Sequence, residues 1–240
     1  MFLRHNLTSD GKFKYYLVTC QVLLDSVMPD SARLPIQERA HATRERLLQA
    51  AIASFASAGY EASSTRDIEE AAGVKRGLIR YHFGSKESLW KAATQWMFEH
   101  ANSELLLAAQ QAADLLPVPK LRSYVRAFVR FSAHHPEINR LMIREGMDDD
   151  WRLDWLTENF VQPWYNQLEE VFLKAKNLVA VPNMEFANFY YILIGAATLI
   201  FSMAPEARRI ANIDPTDEDT ITAHADALTS LLFPSTMENA

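Results

Sequence analysis

Through most of the chain, apolar residues return every three or four positions, the period of a helix buried on one face. Leu47, Leu48, Ala51, Ile52, Phe55 and Ala58 form the first clear stripe and predict a helix over 42–58, closed by Gly59. Two short helices follow. Ser64 with Asp67 three residues on is a capping start for a helix over Thr65–Ala72, stopped at Gly73, and Val74 turns the chain into a second helix over 76–82. Ser85 and Glu87 then open a long helix predicted to run to Leu115, about 45 Å at 1.5 Å per residue. Further stripes predict helices over 119–134, 136–146, 150–177, with Pro163 as a kink, 183–204 and 216–233. No segment alternates with a period of two, so the expected fold is all-α.

Punctuation separates three regions. None of the ten prolines falls between Pro35 and Pro117, whereas four of the seven glycines (Gly59, Gly73, Gly77, Gly84) fall within 26 residues. That is the signature of short helices joined by tight turns. Residues 1–40 have no helical period and are expected to be an extension, either a disordered arm or the product of an upstream start with Met28 as the authentic one. Their short apolar run, interrupted by Gln21 and stopped by Asp25, lacks the cleavage pattern of a secretory signal. The expected organisation is an extension over 1–40, a domain of short helices over 41–90 and a larger helical domain over 91–240.

Composition changes the picture in two ways. The chain has 240 residues, 49% of them hydrophobic, and a single cysteine, Cys20, so it has no intrachain disulfide and is expected in a reducing compartment. Its net charge of −6 argues at first against a polyanionic partner. Divided at residues 40 and 90, however, the charge resolves into +1 (five bases, four acids), +1 (seven, six) and −8 (twelve, twenty). Within the middle segment, Lys75, Arg76, Arg80 and Lys86 occur in twelve residues without an acid.

Helix, glycine turn and short helix is the arrangement that lets one helix brace on the DNA backbone while the next enters the major groove. Ile79, Phe83 and Val74 are expected to pack on Ile68, Ala71, Phe55 and Ile52. That leaves Lys75, Arg76, Leu78, Arg80, Tyr81 and His82 on the outside, with Gly77 permitting close backbone approach. Arginine can fork onto guanine, and lysine, tyrosine and histidine can donate to phosphates.

Thr65-Arg66-Asp67-Ile68, Ala71-Ala72-Gly73-Val74, Gly77, Ile79, Tyr81-His82-Phe83 and Ser85-Lys86-Glu87 together resemble the DNA-binding domain of the TetR family over residues 41–90. The resemblance implies phosphate contacts from Thr65, Tyr81, His82 and Lys86, and base-edge or groove contacts from Arg66, Arg76, Leu78 and Arg80. The sequence departs from the family pattern at Lys75 and Leu78, where serine or threonine is usual, and at Arg80, where tyrosine is frequent. Base preference therefore does not carry over.

The resemblance also implies a homodimer on a near-palindromic double-stranded operator, because one short helix reads too few base pairs to be selective. The expected seam is Phe186, Phe189, Tyr190, Leu193, Ile194 and Ala197 with Ile221, Ala225, Leu228 and Leu232, two helices per subunit in a four-helix bundle. Phe186–Ala204 is uncharged and long enough to raise the question of a membrane span, but Asn188, Thr198 and Ser202 dilute it and a buried seam is preferred. Family members hold a ligand between the long helices. A pocket lined by Tyr124, Phe128, Met142, Trp155 and Trp164 would suit a flat apolar or aromatic effector. His134, His135, Glu137 and Asp148–Asp150 are read as solvated or structural, with no metal and no cofactor. No nucleophile triad, phosphate-cradling glycine loop or zinc-hydrolase motif is present.

The sequence thus points to a cytoplasmic, nucleoid-associated transcriptional repressor released from its operator by a small effector, and not an enzyme. Two alternatives stay open: a ligand-independent activator or chromosome-organising factor of the same fold, and an all-α enzyme or lipid-binding module.

Overall fold

The computed structural model describes residues 36–178, 181 and 183–234. The expectations for residues 1–35 lie outside them. The described residues form twelve α-helices and no strand. They are α1 Ile36–Ala58, α2 Thr65–Ala71, α3 Leu78–Phe83, α4 Lys86–Ala101, α5 Ser103–Gln111, α6 Pro117–His134, α7 Pro136–Glu145, α8 Trp151–Leu156, α9 Gln162–Asn177, α10 Phe186–Ser202, α11 Ala204–Ile210 and α12 Glu218–Leu232. From Thr43 the chain forms one compact unit. The boundary expected at residue 90 falls inside α4, whose Leu89 and Trp90 are fully buried.

Most helix ends follow the sequence. Ser64 accepts from the Asp67 amide at 3.1 Å and Ser85 from that of Ser88 at 3.0 Å, both as expected of N-caps. Pro117, Pro136 and Pro205 stand in first turns, where their missing N–H costs nothing. The long helix expected over 85–115 is instead broken at Asn102 and finished by Gln111. Asn102 and Ser103 have short polar side chains that compete for backbone groups and favour turns over helix interiors. The helix expected over 150–177 is interrupted by a π-helical turn at Thr157–Val161, just before Pro163. Proline cannot donate to the carbonyl four residues back and its ring crowds it, so the preceding turn widens. The run expected to be helical to 204 stops at Ser202, and α11 departs from α10 at 76°. No single helix among the described residues is long and apolar enough to cross a membrane.

The C-terminal bundle is built around α6, which packs on α5, α9, α10 and α12. Leu121, Val125, Phe128 and Val129 of α6 are buried against Leu168 and Phe172 of α9, Phe189 and Leu193 of α10, and Ile221 and Leu228 of α12. A polar ladder edges the α6–α12 contact: Arg126 pairs with Asp226 (2.5 Å), and Glu218 receives Arg130 Nη2 (2.9 Å) and His134 Nε2 (3.2 Å). These hydrogen bonds, from His134 first and then Arg130, hold the exposed Glu218 carboxyl below its ordinary value of 4.5. A carboxyl lowered in the folded state stabilises it above the unfolded value, and that contribution is lost as pH falls through the folded value. Protection of the α12 amides, measured against the intrinsic exchange rate at each pH, is therefore expected to weaken as pH falls through the carboxylate range, and Glu218→Gln to flatten that dependence. Equal pH profiles for the two proteins would show that the ladder does not hold α12.

Candidate nucleic-acid interface

The interface begins with a short core. Ile68 of α2 and Ile79 of α3 are buried with Leu47, Leu48, Ala51 and Phe55 of α1 and Leu89 of α4. Ile52, Val74 and Phe83 pack on it half-buried, as the spacing implies. Ala71, expected in this core, is exposed, and Ala72 takes the inward place.

The recognition helix starts at Leu78, two residues later than expected. Gly77 has φ +90°, the left-handed region closed to the interior of a right-handed helix, so Lys75, Arg76 and Gly77 lie in the turn ahead of α3. Gly77 offers no side chain to cap that helix. Glu69 of α2 does so instead: its Oε1 accepts from the Gly77 amide at 3.0 Å and the Ile79 amide at 2.8 Å. The residue is only 5% exposed. A buried carboxylate here satisfies two N–H groups that have no intrahelical partner and sits at the positive end of the helix. Sequence reasoning missed Glu69, because a seven-residue helix is too short for its period to show which of Glu69 and Glu70 points inward. The one signal was an acid directly beside the buried Ile68.

Around this core the cations face outward. Arg66, Lys75, Arg76 and Arg80 are exposed, as is Gly77, and Tyr81 is 80% exposed. Thr65, Leu78, His82 and Lys86 are half-buried. The His82 ring stands edge-on to Tyr81, with centroids 4.9 Å apart. Leu78 packs partly on the core, so less of it is left for base edges. Lys86 is drawn inward: its Nζ lies 4.3 Å from the Tyr60 ring centroid and donates to the Glu61 carbonyl at 3.3 Å. A helix-turn-helix with a capped, solvent-facing second helix and four exposed cations can take up phosphates and base edges.

Residues 47–93 match the family model of bacterial regulatory proteins, tetR family. This segment is a TetR-type domain. Among curated relatives, the chain is 46% identical over 115 residues to the HTH-type transcriptional repressor AcnR of Corynebacterium glutamicum, an alignment covering 48% of this chain and 46% of AcnR. It is 26% identical over 136 residues to the HTH-type transcriptional regulator BetI of Serratia proteamaculans, covering 50% of this chain and 66% of BetI. The chain thus spans from about half to just under two thirds of these relatives. Similar solved structures include HlyIIR, a hemolysin II transcriptional regulator (TM-score 0.60, 22% identity, 79% of this chain and 98% of that one). Another is AibR in complex with isovaleryl coenzyme A and operator DNA (TM-score 0.64, 18% identity, 80% and 98%). At these identities the likeness shows the fold.

Two of the TetR-type domain's departures, Lys75 and Arg80, add exposed charge.

Beyond the TetR-type domain, the expected pocket residues are distributed over two aromatic clusters and α7. Phe128 stacks on Trp164 at 5.0 Å, Trp164 meets Tyr190 at 5.8 Å, and the Tyr124 hydroxyl accepts from Gln167. Trp155 belongs to a second cluster, with Trp90 and Phe160, and Met142 lies on α7. The best-formed hollows lie elsewhere. One is a void of about 10 Å³ between α1, α4 and α7, and the other an open groove of about 550 Å³ between α1 and α2.

The expected seam residues are likewise engaged within one chain. Phe186, Phe189, Tyr190, Leu193, Ala197, Ile221, Ala225, Leu228 and Leu232 are buried, and Ile194 is half-buried. Burial pushes the Tyr190 hydroxyl up to about 12. The opposite face of α10 is the open one, with Tyr191, Ile192 and Leu199 exposed, together with Leu231 of α12. Periodicity located the helices but assigned the inward stripe to the seam.

Of the histidines and acids set aside in the sequence, His134, His135, Glu137, Asp148 and Asp150 are paired. His134 meets Glu218, His135 meets Glu137 at 3.5 Å, and Asp148 and Asp150 face Arg152. Among the described residues, no group of three or more His, Cys, Asp or Glu is placed to hold a metal ion.

Proposed function

We propose that the protein is a homodimeric, cytoplasmic transcriptional regulator, a repressor, that binds a near-palindromic operator. The observation that carries this reading is the exposed cation set on the Glu69-capped α2–α3 unit. The acidic C-terminal helices turn their −8 away from the duplex and limit non-specific adhesion. The dimer face is the outer side of α10, where Tyr191, Ile192, Gly195 and Leu199 follow one another at helical spacing, with Leu231 of α12. Selection of bound DNA from a random pool with the full chain is expected to return two inverted half-sites centred about 34 Å apart, or one helical turn. An unenriched pool, or a single unrepeated site, would overturn it.

An apolar or aromatic effector that relieves operator binding is the second part of the proposal. AibR, of the same fold, supports it as a protein whose complex holds both isovaleryl coenzyme A and operator DNA. The closed stack of Phe128, Trp164 and Tyr190 means that an effector must part these rings to enter, so binding and conformational change are one event. The same closed stack favours the alternative of a ligand-independent DNA-binding protein of this fold.

A further inference from the structure

The turn that joins α1 to α2 is held from outside the DNA-binding helices. Arg144, near the end of α7, donates from Nη2 to the Ser57 carbonyl at 3.2 Å. Its Nη1 lies 2.7 Å from the place a Cβ on Gly59 would occupy, and Gly59 has φ +85°. Any side chain at 59 would push this arginine away. Arg152, in α8, carries its guanidinium carbon 4.9 Å from the Tyr60 ring centroid and its Nη1 3.5 Å from Glu61. Arg144 thus reaches the C-terminal end of α1, where carbonyls concentrate negative potential, and Arg152 the turn just past it.

The two arms differ in stiffness. Arg144 is half-buried on an accessible edge, whereas the Arg152 side chain is 7% exposed. Arg152 Nε donates to Glu145 at 2.5 Å and Nη2 pairs with Asp150 at 2.6 Å, and Glu145 is 1% exposed. A buried ion pair of this kind resists rearrangement, because separating it strands a charge in low dielectric. From the other side, Lys86 at the start of α4 reaches the same Tyr60 ring and the Glu61 carbonyl. Residues 57–61 are therefore fixed to α7, α8 and α4 together.

Every expected DNA contact lies beyond this turn, between residues 65 and 86, and neither arginine is among them. The turn fixes how α2 and α3 are carried relative to the C-terminal helices, and in a two-fold pair that angle fixes the distance between the two recognition helices. We infer that Arg144 and Arg152 are positioning residues for DNA recognition, setting the half-site separation that the dimer accepts without touching DNA. The inference rests on the dimeric, operator-binding reading above.

The test is binding of the full chain to its selected operator and to versions with the spacer lengthened or shortened by one and two base pairs. Each base pair turns one half-site by about 35° and displaces it by about 3.4 Å, so a rigid dimer should lose about tenfold or more per step. In Arg144→Met/Arg152→Met/Glu145→Gln, which removes both arms and the carboxylate charge left behind, the best operator should bind within a few fold of the parent. The two-step spacer penalty should shrink at least tenfold. Arg144→Met alone, which uncovers no buried charge, should flatten the spacing profile partway even if the triple variant fails to fold, and Arg144→Lys should restore part of it. Unchanged spacing profiles, or an equal loss at every spacing, would overturn the positioning role. If the unsubstituted protein fails to discriminate between spacers, the dimeric reading itself fails and the inference goes with it.

Discussion

Glu69→Ala is expected to cost operator binding about a hundredfold while leaving the C-terminal helices folded. The substitution strands the Gly77 and Ile79 amides, which have no other acceptor at the start of α3. Loss of a helix cap costs about 1 kcal/mol, and each buried donor left unsatisfied about 1–3 kcal/mol. A six-residue helix has no reserve against such a loss, since segments this short do not hold their shape alone. The same amides border the turn that carries Lys75 and Arg76, so fraying misplaces the charges as well as the helix. With every 1.4 kcal/mol worth tenfold, a loss near 3 kcal/mol gives the hundredfold figure. Glu69→Gln retains an acceptor and should stay within about tenfold of the parent. DNA titration with hydrogen exchange at residues 77–79 checks both variants. Unimpaired binding by the alanine variant would mean that another contact presents α3.

Removing Lys75, Arg76 and Arg80 together should act by the opposite route. All three side chains are exposed on the TetR-type domain and none carries core packing, so the triple alanine variant should match the parent in thermal stability to within about 0.5 kcal/mol per site. Its affinity should fall at least about a thousandfold at physiological salt, because a homodimer loses six contacts, one per substitution in each subunit. Each phosphate contact contributes about 0.9 to the slope of log affinity against log salt. If Lys75 meets phosphate while Arg76 and Arg80 lie at base edges or in the groove, the slope should drop by about 1.8, one phosphate contact in each subunit, rather than about 5.4 for six phosphate contacts, and Arg80→Ala alone should relax sequence preference. A triple variant that binds its operator like the parent would remove this surface from the interface.

Much of this architecture was legible before any coordinates. The stripe Leu47 to Ala58, the serines at 64 and 85 and the glycines at 59 and 73 act locally, through side-chain period, capping and backbone freedom, and the corresponding helix ends fall within a few residues of their expected places. What was not legible depends on contacts between distant segments. Glu69 became a cap only because α3 starts nine residues later with its amides turned back towards α2. The apolar residues of α10 surround most of its circumference, so no period could tell the side packed on α6 from the side left open. The wealth of aromatic residues between 124 and 190 suggested a hollow, but whether rings surround a space or fill it is decided by packing. The break at Asn102 and the bend after Ser202 interrupt sequences that read as continuous helices, because two modest turn formers outweigh a pattern only where tertiary packing rewards the bend.

The rings around Tyr60 have one more consequence. Trp90 and Trp151 stand edge-on to that tyrosine at 6.5 and 5.5 Å and to each other at 5.3 Å, with Trp155 at 5.5 Å from Trp90. Three of the chain's five tryptophans thus surround the joint between its DNA-binding and C-terminal helices. Indole emission responds to neighbouring charge and to water, and the guanidinium of Arg152 and the ammonium of Lys91 lie over the Trp151 ring at 5.9 and 5.0 Å. The molecule therefore carries a built-in optical gauge at this joint, by which any loosening of its tethers can be followed in solution without attaching a dye.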